Sequence, residues 1–405
     1  MKKQARPDEE VSEAKPPMTP DARCTGEIGV RSRRRDSSRE TRFVPEEAVN
    51  KFCLVGRGTA LLAIAGVAAG LAVGAHWRNL TMVELFWGGI IPLVPLLLLA
   101  APHFWRNICP LATLNLTGDR LARWNHTTRS VHLPRRTARG LKRFGVALAA
   151  GLLWLLVPLR LLLLNESAWA TFFLIVAFVA VAVAMGIALP RKAGWCSGLC
   201  PLYPVEKFYS TAPLWTLPDP RCAPANLTQK CFRCTLHCLD VPLSEARYWR
   251  AMAAAPSHRL SSGLRDFFLG SFPGFVLAYL LLLNFADLSR PTVSAVAAVY
   301  GTFFLLMLGS YGLYWMAHWA LAGRQAERSR LLWSRRVDLI TVLLALNIYY
   351  LIGGAGLAEV LSKLTGWTEG QQFALTLAVV TTVLLVSLYW LYRAWHSRAP
   401  PWARW

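Results

Sequence analysis

The chain has 405 residues, 54% of them hydrophobic and 17% charged, with a formal net charge of +21. So apolar a composition excludes an ordinary soluble enzyme and points to a polytopic membrane protein. The positive charge does not point to nucleic acid, because the basic residues sit in alternate loops between apolar runs and not on one domain.

Residues 1–50 are polar and include RSRRRDSSRETR at 31–42. They predict a disordered basic tail, with no apolar run after the first charges of the kind a signal peptide needs. The arginine run suits anionic lipid headgroups, although a solvated tail is the plainer reading. Eight apolar stretches follow, near 58–77, 80–101, 145–164, 171–190, 266–286, 293–320, 337–357 and 371–392. Each approaches the ~20 residues that cross a bilayer as a helix. The sixth is long and is expected to tilt or to end before Trp319. GGAG at 353–356 predicts a kink or fray in the seventh.

The expected fold is an all-α integral membrane protein of about eight transmembrane helices with a cytoplasmic, cysteine-rich, ferredoxin-like loop. Its parts are the tail at 1–50, a four-helix membrane region at 51–190, the loop at 191–265 and a second four-helix region at 266–405. Forty of the 44 Lys and Arg flank one side of the spans. The connections on the other side hold only Arg78, Arg290 and Lys363. Both termini and the large loops are therefore expected in the cytoplasm of a bacterial inner membrane.

Six of nine cysteines crowd that loop: Cys196 and Cys200 in C-x3-C-P, then Cys222, Cys231, Cys234 and Cys238 in C-x8-C-x2-C-x3-C. Cytosolic thiols stay reduced, and clustered ones are metal ligands more often than disulfides. Three close thiolates and one remote one suit a four-iron, four-sulfide (4Fe-4S) cluster. Cys231, Cys234 and Cys238 are the close group, and either Cys222 or Cys200 is the fourth ligand. Six thiolates suffice for one cluster. The remaining pair is a second, low-coordinate site or a redox-active dithiol. Zinc is the competing metal, but four-cysteine zinc sites usually use two C-x2-C pairs, and this stretch has one.

There is an internal echo. FWRNICPLATLNL at 104–116 and WCSGLCPLYPVEKF at 195–208 both place an I/L-C-P-L unit just after an even-numbered span. In the first copy Trp105 stands four before Cys109, where the second has Cys196. This reads as a duplicated span pair whose first copy has one ligand fewer.

With a repeated Cys-Pro unit and a ferredoxin-like run after it, residues 80–240 resemble the polyferredoxin-type membrane proteins, including the NapH-like and NosR-like proteins of bacterial respiration. The resemblance implies 4Fe-4S binding and electron transfer between the membrane quinone pool and a redox partner: a ferredoxin, a flavodoxin or a respiratory enzyme subunit. It carries the family's paired cysteines onto Cys196 and Cys200, and its ferredoxin-type ligands onto Cys231, Cys234 and Cys238. The chain departs in having one complete C-x3-C-P unit, one half unit and one stretched cysteine run, and 266–405 has no counterpart.

Other residues admit other readings. His103 and His318 lie near span ends at the same expected side and offer a b-type haem pair, set below the iron–sulfur reading. Glu84, Arg160, Asp287 and Glu359 lie in or beside spans, as quinone-linked or ion-passing groups would, but interfacial placement is the plainer account. Arg233 and Lys207 would draw an acidic donor to the cluster, and His237 would tune its potential. The expected role is that of an electron-transfer or accessory subunit and not a stand-alone catalyst. A transporter or sensor with a structural zinc loop, and a membrane thiol oxidoreductase using Cys196 and Cys200, remain open as alternatives.

Overall fold

The computed structural model describes residues 46–77, 80–124, 135–189, 194–209, 214, 259–285, 292–322 and 327–396. Cys24, Cys222, Cys231, Cys234, Cys238, Arg233, His237 and Asp287 lie outside them, as does the tail at 1–45.

Helix α1 (Glu46–Ala72) ends at Gly74, whose φ of +62° favours glycine, and a short hairpin pairs His76–Trp77 with Leu80–Thr81. Thr81 then opens the run Met82–Ala100 (α2) with a capping box. Its Oγ1 accepts from the Glu84 N–H at 3.1 Å, and its own N–H donates to Glu84 Oε2 at 2.8 Å. A widened π turn, Leu85–Ile90, lies in α2 just before Pro92, whose missing N–H removes one bond of the ladder. Helices α3 (Pro102–Ile108) and α4 (Pro110–Trp124) follow. Helix α5 (Arg135–Leu159) continues into a π turn, Arg160–Leu164, and α6 is Ala168–Ala188. Beyond it come a π turn at Trp195–Leu199, the short α7 (Tyr203–Tyr209), α8 (Arg259–Phe285), α9 (Val293–Ala322), α10 (Glu327–Thr365) and α11 (Glu369–His396).

Eight of these helices are long and apolar enough to cross a membrane, so the chain is a multi-pass, all-α membrane protein. The spans run Cys53–Ala72, Met82–Ala100, Phe144–Leu164, Ala168–Ala188, Gly263–Asn284, Val293–Leu321, Arg336–Thr365 and Glu369–Trp395. From Val44 to Trp405 they form one compact unit. Successive spans alternate in direction. One end of the bundle gathers Arg57, Arg106, Arg265, Arg336 and Arg393, and is called here the cysteine face. The other end gathers Glu84, Arg160, Glu359 and Lys363.

Three boundaries differ from expectation. The first span starts and ends five residues early, and Gly74 with the hairpin stops the helix where apolar composition alone continues. The sixth runs past Trp319. The seventh does not break at GGAG: α10 continues to Thr365, and a Cβ on Gly354 would lie 3.5 Å from Val379 and Val380 of α11. Small residues here let two helices approach, which outweighs glycine's poor helix propensity.

The packed centre lies around α8 and α10, with Phe268, Phe275, Leu346, Tyr350 and Trp390 all buried. Outward faces of α1, α6, α9 and α11 expose Leu62, Phe173, Leu305 and Leu385, as lipid-facing helices do. At the opposite face, Arg160 donates to the Trp87 carbonyl at 3.1 Å and to Asn165 Oδ1 at 3.0 Å. Its guanidinium lies 4.6 Å from the Trp87 ring centroid and 5.1 Å from that of Tyr279. It thereby pins α5 to α2 and α8. Glu84 and Glu359 both bond Lys363 at 2.9 Å, closing the same end.

Much of the 106–143 connection is helical. Helix α4 lies along α6, with Asn115 Nδ2 donating to the Ala182 carbonyl at 3.0 Å. A Cβ on Gly186 would stand 2.0 Å from the Asn115 carbonyl oxygen, and one on Gly118 2.3 Å from that of Val183. Gly186→Val is therefore expected to lower stability by about 2 kcal/mol or more. Gly66→Ala, where nothing lies within 4 Å, is expected to be neutral or slightly stabilising. Thermal unfolding of both variants in detergent checks the contrast.

Candidate functional site

The two Cys-Pro units share one backbone design. Cys109 ends α3 with φ −50° and ψ 125°, and its N–H donates to the Trp105 carbonyl at 2.8 Å. Cys200 ends the turn Trp195–Leu199 with φ −61° and ψ 118°, and its N–H donates to the Trp195 carbonyl at 2.9 Å. In both, the residue before proline is held extended because proline's ring disfavours a helical neighbour. Pro110 then opens α4, and α7 follows Pro201 closely.

Their surroundings match as well. Gly56 of α1 faces Ile108, with an added Cβ 2.7 Å from its side chain. Gly145 of α5 faces Gly198, with an added Cβ 2.9 Å from its Cα. After each Cys-Pro, the next helix reaches the other copy's second span: α4 packs on α6, and α7 packs on α2 as well as α5. The echo in the sequence is thus an echo in space, with the two copies interlocked.

Interlocking brings the thiols together. Cys109, Cys196 and Cys200 share an apolar cluster with Leu111, Ala112, Phe178, Ala182, Trp195 and Leu199. The Phe178 and Trp195 ring centroids are 5.4 Å apart. Cys53, in α1, is also buried. Burial drives the Cys200 thiol well above the ordinary range. The nearby Cys109, Cys196 and Glu206 push the same way, and a hydrogen bond with the Leu202 backbone opposes them. As placed, no three Cys, His, Asp or Glu among the described residues form a group able to hold a metal ion.

A buried ion pair lies beside the thiols: Arg106 of α3 bonds Glu206 of α7 at 3.3 Å, with side chains 3% and 5% exposed. Arg57 Nε donates to the Asn107 carbonyl at 2.8 Å. Lys207 is buried, 5.7 Å from the Tyr203 ring centroid, and so presents no charge to a docking protein. That corrects the expectation that it draws an acidic donor. Burial, with the nearby Arg265, lowers its ammonium to about 7.

The cysteine-free half joins at the same level. Asp338 of α10 accepts from Arg265 of α8, from the Tyr314 hydroxyl at 2.8 Å, and bonds His318 Nε2 at 3.0 Å, both on α9. His318 therefore has one ring nitrogen engaged, and the side chain of its suggested haem partner His103 lies outside the described residues. The Tyr209 hydroxyl donates to the Val342 carbonyl at 3.2 Å, and Trp390 Nε1 donates to the Tyr209 carbonyl at 3.1 Å. Helix α7 is thus anchored to α10 and α11.

Of the six predicted loop cysteines, the structure places Cys196 and Cys200 and adds Cys109. Cys222, Cys231, Cys234 and Cys238 lie outside the described residues. Sequence reasoning missed Arg106, Glu206, Tyr314 and Asp338. Arg106 stands inside the FWRNICP unit, but no periodicity ties it to a carboxylate 100 residues away. Compared with protein-family models, curated proteins and solved structures, the chain matches none.

Lys207 yields a signed pH dependence. Its folded pKa lies below the unfolded value, so its burial penalises folding fully below pH 7 and less as pH rises toward its ordinary value of 10.5. Lys207→Met is expected to stabilise by about 1–4 kcal/mol at pH 6. At pH 10 the gain should be smaller. Chemical unfolding at the two pH values checks the sign. Asp338→Ala removes the main partner of partly buried Arg265 and the acceptor of the Tyr314 hydroxyl, and is expected to destabilise by about 1–3 kcal/mol, measurable in the same way.

Proposed function

We propose that this chain is an electron-transfer protein of the bacterial inner membrane, with its cysteine face and both termini in the cytoplasm. It carries one 4Fe-4S cluster and passes electrons between the quinone pool, or a cytoplasmic ferredoxin or flavodoxin, and a respiratory redox partner, or supports that partner's maturation. The observation that carries this reading is the interlocked pair of Cys-Pro units, whose chain leads directly into the run Cys222 to Cys238.

The donor set is of the right chemistry: closely spaced thiolates on the side where thiols stay reduced. Cys231, Cys234 and Cys238 would hold three irons of the cluster. Either Cys222 or Cys200 would be the fourth ligand, and the packing of Cys200 with Cys109 and Cys196 in an apolar cluster supports Cys222. When bound, the cluster supplies one-electron transfer. The chain's own residues supply the platform. Tyr209 and Trp390 hold the segment entering the loop against α10 and α11. The buried Arg106–Glu206 pair ties α3 to α7 beside the thiols.

Thiol exchange by Cys196 and Cys200 is disfavoured on the same geometry. Exchange needs an accessible thiolate, whereas Cys196 is buried, Cys200 is partly buried and the Cys200 proton is held tightly.

Anaerobic purification should give about four irons and four sulfides per chain, with a reduced-cluster EPR signal after dithionite. Cys231→Ser or Cys234→Ser should strip the iron, while Cys196→Ser should keep most of it. Zinc without sulfide would overturn the reading.

A further inference from the structure

Arg336 opens the seventh span and Trp395 closes the eighth, so both stand at one edge of the membrane, on the cysteine face. The Arg336 guanidinium carbon lies 4.6 Å from the ring centroid of Trp333, one turn before it on α10, and 4.4 Å from that of Trp395 on α11. The two indoles hold the flat face of the cation and fix where it sits. They do nothing for its N–H donors, which lie in the guanidinium plane and take oxygen acceptors. Among the described residues, no carboxylate or carbonyl oxygen bonds them. Asp338, the nearest acid in the sequence of α10, is already taken by Arg265, Tyr314 and His318.

The surroundings select the acceptor. Trp395 is 36% exposed, and Tyr392, one turn before it, is 61% exposed on the lipid-facing stripe that also carries Leu385 and Tyr389. Aromatic rings of this kind settle at the headgroup level of a bilayer. Residues 324–336 hold five arginines against one acid, Glu327, and residues 393–405 hold three against none. An acceptor at this edge is therefore anionic and reaches Arg336 from the bilayer. Phosphate fits, because arginine forks onto its oxygens with two parallel hydrogen bonds.

We propose that Arg336, Trp333 and Trp395 form a docking site for the phosphate of an anionic glycerophospholipid, phosphatidylglycerol being the simplest. Its acyl chains lie along the exposed stripe of α11. A zwitterionic lipid offers the same phosphate but brings an ammonium group, which the surrounding arginines repel. The bound lipid bridges α10 and α11, the two helices to which Tyr209 anchors α7 through Val342 and Trp390. Arg393, on α11, donates to the Leu214 carbonyl at 3.0 Å. Occupancy thus steadies the helix pair that holds the segment entering the cysteine loop. No covalent bond is made or broken, and the site does not depend on the iron–sulfur reading.

The test places the full chain in phosphatidylcholine nanodiscs with and without phosphatidylglycerol. Phenylglyoxal, an uncharged arginine reagent, is applied, and its adducts are read by peptide mass spectrometry. In wild-type protein, phosphatidylglycerol should slow labelling of Arg336 about fivefold relative to Arg404. This reading depends on no variant's folding. In detergent, native mass spectrometry should show the wild-type chain retaining phosphatidylglycerol in preference to phosphatidylcholine. Arg336→Gln should lower that preference about fivefold. Arg336→Lys, which keeps the charge without the fork, should lower it less, and Arg404→Gln should leave it unchanged. Equal labelling of Arg336 in the two kinds of nanodisc overturns the proposal. So does an equal loss in Arg404→Gln and Arg336→Gln, which would mean surface charge alone, or inorganic phosphate protecting Arg336 as well as the lipid does.

Discussion

Direct backbone contact between α4 and α6 governs the cysteine face. At Gly118 and Gly186 the two helices approach so closely that any side chain would strike a carbonyl oxygen. Helix association in a bilayer gains nothing from burying apolar surface away from lipid. It relies on such close packing and on polar bonds like that from Asn115 to Ala182. This contact holds the first Cys-Pro unit against the end of α6, from which the second unit emerges. A second close approach, Gly145 to Gly198, sets the second unit against α5. With both in place, three thiols separated by some ninety residues of chain have one location available to them.

Charge finishes what packing begins. The Arg106–Glu206 pair crosses between the copies, and the Arg265–Asp338 pair with Tyr314 and His318 closes the neighbouring layer of α8, α9 and α10. Buried pairs of this kind add little net stability compared with a well-packed apolar substitute, but losing one partner leaves a charge stranded. Their contribution is therefore to specify one arrangement: a helix rotated or shifted out of register would leave a buried ion without its mate. Helix α7 gains most from this. It is only seven residues long, and Glu206, Lys207 and Tyr209 are all turned into the protein.

The eight spans were legible because a bilayer demands long apolar helices, and the alternation of basic loops was legible for the same reason. The I/L-C-P-L echo also translated directly, since proline fixes the backbone on both sides of itself. What escaped was tertiary. GGAG reads as a weak point until α11 is known to lie against it. The 106–143 segment reads as a loop because Asn115 and Asp119 interrupt its apolar pattern, yet those are residues it buries. Lys207 reads as a surface charge because nothing local announces its burial. The partnership of Cys109 with Cys196 and Cys200 was visible as a sequence repeat, but only the crossing of α4 onto α6 turns repetition into proximity.

That proximity is best tested by covalent linkage in the intact membrane. A protease site inserted within 125–134 would separate Cys109 from Cys196 and Cys200 once cut. After mild oxidation or a short bifunctional thiol crosslinker, the two fragments should migrate together on a non-reducing gel. They should part when Cys109 is replaced by serine. Fragments that separate regardless of treatment would mean the copies are not interlocked, and would contradict the account.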